Sequence, residues 1–157
     1  MRLDWQTARV GPELNGTFFP FLIEDFTARP LRAFPTGKPT TGAFRGVAQV
    51  VIAVRDLEGA VKRFRQAYGL PAPHEQADRS FEAQLALFDG TPVVLAAPSG
   101  AQSWLNRRLD QFGEAPCAFI LSAADGGRFQ AAGKTRWGGM DVSWFDVGKL
   151  GWRLGWQ

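Results

Sequence analysis

Residues 47–69, VAQVVIAVRDLEGAVKRFRQAYG, change hydrophobic period in mid-course. Val50, Ile52 and Val54 alternate with Gln49, Val51 and Ala53, the two-residue period of a strand whose faces meet different surroundings. From Leu57 onward the apolar positions, Leu57, Ala60, Val61, Phe64 and Tyr68, fall at helical spacing. Asp56 stands where an N-cap belongs, its carboxylate able to accept from the free amides of the first turn. Gly69 ends the helix, because glycine takes the left-handed cap without strain. The pattern predicts a strand followed directly by an amphipathic helix.

Downstream, LPAPHEQADR reads as a proline-started irregular stretch with room for a short edge strand. FEAQLALF alternates cleanly, with Phe81, Ala83, Leu85 and Leu87 on one face and Glu82, Gln84, Ala86 and Phe88 on the other. Asp89-Gly90 is a tight turn into a strand over Pro92–Ala97. A second helix is predicted from Ser103 to Phe112, with Leu105, Leu109 and Phe112 on one side and Gly113 as the stop. Cys117–Ala123 follows as a buried strand. GGRFQAAG is an even choice between a short helix and a loop, because its glycines disfavour helix. The Trp- and Gly-rich end reads as two strands joined around residues 147–151.

Before residue 47, LDWQTARVG and GTFFPFLIED flank Gly-Pro and Asn-Gly turn chemistry, which predicts a hairpin over Leu3–Asp25. Phe18, Phe19, Phe21 and Leu22 are a large apolar load for an isolated ribbon, so the hairpin is expected to pack on a second copy, giving a homodimer. Pro30, Pro35 and Pro39 make residues 26–42 an extended arm.

The strand followed by Asp-Leu-x-x-Ala at Asp56–Ala60 resembles the opening unit of the vicinal oxygen chelate superfamily, which includes glyoxalase I, extradiol dioxygenases and bleomycin-resistance proteins. FDGTPVVLAAP is similar to that unit's closing hairpin, GEAPCAFILSAAD to the start of a second unit, and VSWFDVGKLGWRLGW to its end. The resemblance implies an α+β fold: two βαβββ-type units, at about residues 44–98 and 114–157, forming a half-open curved sheet. The hairpin and arm, residues 1–43, would be an addition to that domain.

Lys and Arg total 18 against 15 Asp and Glu, a net charge of +3, and the basic residues are scattered without a nucleic-acid-binding motif, which argues against nucleic acid as partner. A lone cysteine, Cys117, allows no internal disulfide and points to a reducing compartment. No apolar run approaches the ~20 residues of a membrane span. These features predict a cytoplasmic protein with no membrane partner.

Members of the superfamily that use a metal take His or Gln from the first strand of a unit and Glu from its last, leaving positions open for two substrate oxygens. Matched position by position, the resemblance places Gln49, Val94, Ala118 and Arg153 there. Only Gln49 can bind a cation. His74 is the single histidine, in an apparent loop, and a set of Gln49, Glu82 and His74 would hold a catalytic metal poorly. The expectation is therefore no metal and no cofactor, with no catalytic residue assigned. There is no phosphate-binding glycine loop or nucleophile elbow, and Cys117 sits in an apolar strand where a thiol is inert.

What remains is an aromatic cup. Trp137, Trp144, Phe145, Trp152 and Trp156 cluster toward the C-terminal end, and indole faces suit planar or cationic ligands. The leading expectation is a glyoxalase-like protein that sequesters a small organic molecule, with Gln49, Glu82, Gln84 and Arg153 as polar anchors and Trp144, Trp152 and Trp156 as apolar walls. Two alternatives stand: a metal-dependent lyase, isomerase or dioxygenase with rearranged ligands, and an assembly module left from a longer two-domain protein.

Overall fold

The computed structural model describes residues 3–10, 19, 21–28, 42–124, 129–146 and 151–157. The backbone forms two compact units, residues 1–42 and 43–157. In the first, β1 (Trp5–Ala8) and β2 (Leu22–Asp25) pair antiparallel with Trp5 opposite Asp25 and Ala8 opposite Leu22. The turn and the proline-rich arm predicted for this unit fall largely outside the described residues.

The second unit is built on β3 (Phe44–Ala53), α1 (Leu57–Tyr68), β4 (His74–Asp78), β5 (Ala83–Leu87), β6 (Val93–Pro98), α2 (Trp104–Phe112), β7 (Pro116–Ala123), β8 (Gly133–Trp137), β9 (Met140–Trp144) and β10 (Arg153–Trp156). Its eight strands form one mixed sheet in the order β4-β5-β6-β3-β7-β10-β9-β8. The order is a duplication. Each half starts with a central strand, β3 or β7, which pairs parallel with the last strand of its own half, β6 or β10. The two central strands pair antiparallel with each other through a bulged register. The candidate helix GGRFQAAG lies partly outside the described residues, and its described part is irregular up to Gly133, where β8 begins.

Local chemistry fixes the helices as the sequence predicts. Asp56 Oδ1 accepts from the Gly59 amide at 3.1 Å, and Gly69 closes α1 at φ 65°. Ser103 Oγ accepts from the Asn106 amide at 3.1 Å at the start of α2. Ala60 and Phe64 of α1 are fully buried, and α1 lies on β5 and β6. Burying a side chain such as Phe64 stabilises the fold by roughly 1.5–3 kcal/mol.

The register sorts the sheet's residues onto two faces. One row on the inner face runs His74, Leu87, Val94, Val51, Ala118, Arg153 across six strands. The next runs Gln49, Ile120, Gly155, Trp144, Gly133. The sheet curls until its two edges meet by side chains. On β4, Gln76 Nε2 donates to Arg136 O at 2.9 Å, while Gln76 Oε1 accepts from the Gly138 amide at 2.9 Å. Asp78 accepts from Trp137 Nε1.

Inside the curl the centre is packed. Phe81, Trp137 and Trp144 meet with ring centroids 5.0, 5.3 and 5.4 Å apart, and Leu85, Leu87 and Val142 join the same cluster. Aromatic pairs at this spacing add to what their buried area contributes. No described helix is long and apolar enough to cross a membrane.

Candidate functional site

The packed centre leaves a hollow at each end of the curl, and β9 runs from one to the other. Met140, at its start, lines a hollow of about 380 Å³ with Gln49, Leu87, Phe88 and Gly138. Trp144, at its end, lines a larger one of about 490 Å³ with Trp104, Trp152, Arg153, Ser80 and Thr135.

The larger hollow takes its walls from three places. β9 and β10 bring Trp144 and Arg153, the segment just before β10 brings Trp152, and the first residue of α2 brings Trp104. Each indole is anchored: Trp104 Nε1 donates to Phe81 O at 2.6 Å, Trp144 Nε1 donates to Thr135 Oγ1 at 3.0 Å, and Trp152 packs edge-on against Phe119 at 6.0 Å. Arg153 is the charged group set among them. Its Nη1 donates to Ser80 O at 2.9 Å, and its guanidinium lies 4.5 Å from the Trp104 ring centroid and 5.0 Å from that of Phe81. Burial lowers its pKa, and Glu82 and Asp78 at longer range act in the opposite direction.

The other anchors expected from sequence are dispersed. Glu82 sits behind the hollow, its Oε2 accepting from the Trp104 amide at 2.8 Å, so it caps α2. Its backbone is left-handed at φ 59°, which breaks the alternation that places it on Gln84's face. Gln84 is exposed, on the face opposite Ala83 and Leu85. Gln49 belongs to the smaller hollow; it is buried, and its Oε1 has no hydrogen-bond partner. Trp156 alternates with Gly155 onto the outer face and packs on Phe145 and Phe129 at 4.2 and 5.6 Å. The structure thus brings together Trp144, Trp152 and Arg153 and leaves Gln49, Glu82, Gln84 and Trp156 elsewhere.

Trp104 is a wall residue that the sequence reading passed over. Its signal was present: it falls beside the Leu105, Leu109, Phe112 stripe of its helix, so the helix's own packing did not account for it. Arg108, on the same helix, donates from Nη1 to Gly151 O at 2.7 Å and from Nη2 to Pro116 O. It ties α2 to the sheet beside the hollow.

The metal positions implied by the resemblance can now be tested by their donors. Gln49, Val94, Ala118 and Arg153 all project from the inner face, in the two adjacent rows given above. An amide, two aliphatic groups and a guanidinium do not form a coordination sphere, and among the described residues no three His, Cys, Asp or Glu side chains come together. The residues present do not fit the metal.

The paired halves, the parallel closing strands and the curled eight-stranded sheet define the vicinal oxygen chelate fold. Among solved structures of that fold, the methylmalonyl-CoA epimerase from Mycobacterium tuberculosis superposes with TM-score 0.60 at 20% identity, over 76% of this chain and 91% of that one. A Streptomyces coelicolor methylmalonyl-CoA epimerase in complex with 2-nitronate-propionyl-CoA gives 0.58 at 17% identity, over 73% and 96%. A hypothetical protein from Bacillus halodurans gives 0.55 at 12%, over 70% and 91%. At these identities the likeness is one of fold. No family model matches the chain, and no curated protein matches it.

Proposed function

We propose that this protein binds a small organic molecule in the hollow walled by Trp104, Trp144 and Trp152, and acts by holding it, without a metal and without a chemical step. The observation that carries the reading is the position of Arg153, a half-buried guanidinium in a hollow of about 490 Å³ whose lining includes Trp104, Trp144, Phe145 and Trp152. A concave apolar site with a few convergent polar groups is the usual form of a small-molecule site. The epimerase neighbour, in complex with 2-nitronate-propionyl-CoA, supports ligand binding by this fold. A passive role is supported by the described lining, where the ionisable side chains beside Arg153 are Lys134 and Asp146, both exposed at the rim. In this reading the protein is a cytoplasmic homodimer.

The test is a fragment screen read by the indole N–H resonances of isotope-labelled protein. Hits should move Trp104, Trp144 and Trp152 and leave Trp5 in place. A screen in which no fragment moves them overturns the reading. Turnover of methylmalonyl-CoA by the purified protein, with or without added divalent metal, overturns its non-catalytic part and favours the isomerase alternative.

A further inference from the structure

Resting on that reading, we infer that the ligand is a planar organic anion whose carboxylate is held by Arg153 and whose ring lies against Trp144 and Trp152. The inference begins with unspent donors. Arginine presents a planar fork of N–H groups, and Arg153's hydrogen bonding among the described residues is confined to Nη1 and the Ser80 carbonyl. It takes no part in the ion pairs that join Arg55 to Asp110, Arg63 to Glu114 and Arg136 to Asp141.

The carboxylates whose charge acts on it, Glu82 and Asp78, are already engaged. Asp78 Oδ1 accepts from the Phe81 amide at 2.9 Å and its Oδ2 from Trp137 Nε1, while Glu82 Oε2 accepts from the Trp104 amide. The guanidinium is thus pinned in place by Ser80 and by the ring of Trp104, with its charge unmatched at short range. Lys134 and Asp146, both exposed at the rim, carry opposite charges, so among the described lining residues Arg153 is the half-buried charge that sets the sign of the hollow. Removing a cation from water is costly unless a partner compensates it, and a carboxylate matches the guanidinium fork with two parallel hydrogen bonds. The body of the ligand follows from the walls, where the half-buried Trp152 and the small part of the buried Trp144 left exposed favour a flat ring.

The experiment titrates 2-naphthoate and 2-naphthalenemethanol, of nearly the same shape and opposite in having or lacking charge, against the full chain, following the Trp104, Trp144 and Trp152 indole N–H resonances. The expected result is at least tenfold tighter binding of the carboxylate, with the preference abolished in Arg153→Met and partly kept in Arg153→Lys. The lysine variant keeps the test valid if the methionine variant does not fold. Equal binding of the two probes, or an undiminished preference in a folded Arg153→Met protein, overturns the anion inference and leaves small-molecule binding standing. In the wider screen, hits that are all neutral or cationic overturn this inference alone, and an empty screen overturns the reading beneath it.

Discussion

Asp78, on one edge strand of the sheet, accepts the indole N–H of Trp137 on the opposite edge strand. Both residues are buried, and the second oxygen of Asp78 accepts from the Phe81 amide. A single carboxylate therefore satisfies two donors where the sheet curls back on itself and where the aromatic packing begins. Edge strands otherwise present unpaired backbone, and here the inward-facing Gln76 and Asp78 link them across the gap.

Asp78→Ala should lower unfolding stability by about 2–4 kcal/mol, since it strands two buried N–H groups that the intact carboxylate satisfies. Urea denaturation followed by tryptophan fluorescence measures it. A loss below about 1 kcal/mol would mean that the edges are held by packing alone.

Glu82 combines a favourable contact with an unfavourable backbone. Its carboxylate accepts from the Trp104 amide, but φ 59° costs a residue with a Cβ roughly 1 kcal/mol or more. Both Glu82→Ala and Glu82→Gly lose the contact, and only the glycine variant relieves the backbone. Glu82→Gly should be the more stable of the two by about 1 kcal/mol. Equal thermal midpoints would show that the left-handed turn carries no strain.

Burial pushes the Cys117 thiol from its ordinary value near 9.0 up to about 12, against the opposing pull of Arg108 and Arg153. The folded protein keeps the proton that the unfolded chain releases. This contribution to stability is accordingly complete below pH 9.0 and is lost as pH rises from 9.0 toward 12. Wild type should lose more stability than Cys117→Ala between about pH 8 and pH 10.5, and iodoacetamide at pH 8 should label the thiol only after denaturation. Parallel pH profiles for the two proteins, or rapid labelling of the native state, would contradict it.

Trp5, Leu22 and Ile23 are exposed on the two-stranded hairpin, apolar surface that a ribbon of this size leaves uncovered. If the hairpin makes the homodimer proposed above, solution mass by light scattering should fall from dimer to monomer on deletion of residues 1–25. A dimer that persists in the truncated protein rules out exchange of the hairpin.

The first half of the duplication was legible because its signals agree. Alternation in Val50–Val54, a cap at Asp56 and a left-handed stop at Gly69 all specify one strand and one helix. β4 was harder to read, because its inward residues Gln76 and Asp78 are polar and serve as links, so no apolar period marks the strand. The candidate site was reached in part through the resemblance, which gave Arg153 a ligand position, and through the cluster of C-terminal aromatics that holds Trp144 and Trp152. Strict alternation misplaced Glu82, since one left-handed residue resets the alternation before β5 begins. Nothing in the sequence indicated that Phe81, Trp137 and Trp144 would close the centre, because that depends on how far the sheet curls.

The edge-to-face rings across the waist also bear on traffic. Met140 and Trp144 face separate chambers from the two ends of one short strand, with the fully buried Val142 between them. If a guest is admitted beside Arg153 as proposed, the described residues leave it no passage past Val142 to the hollow at Gln49, and entry and exit share one doorway.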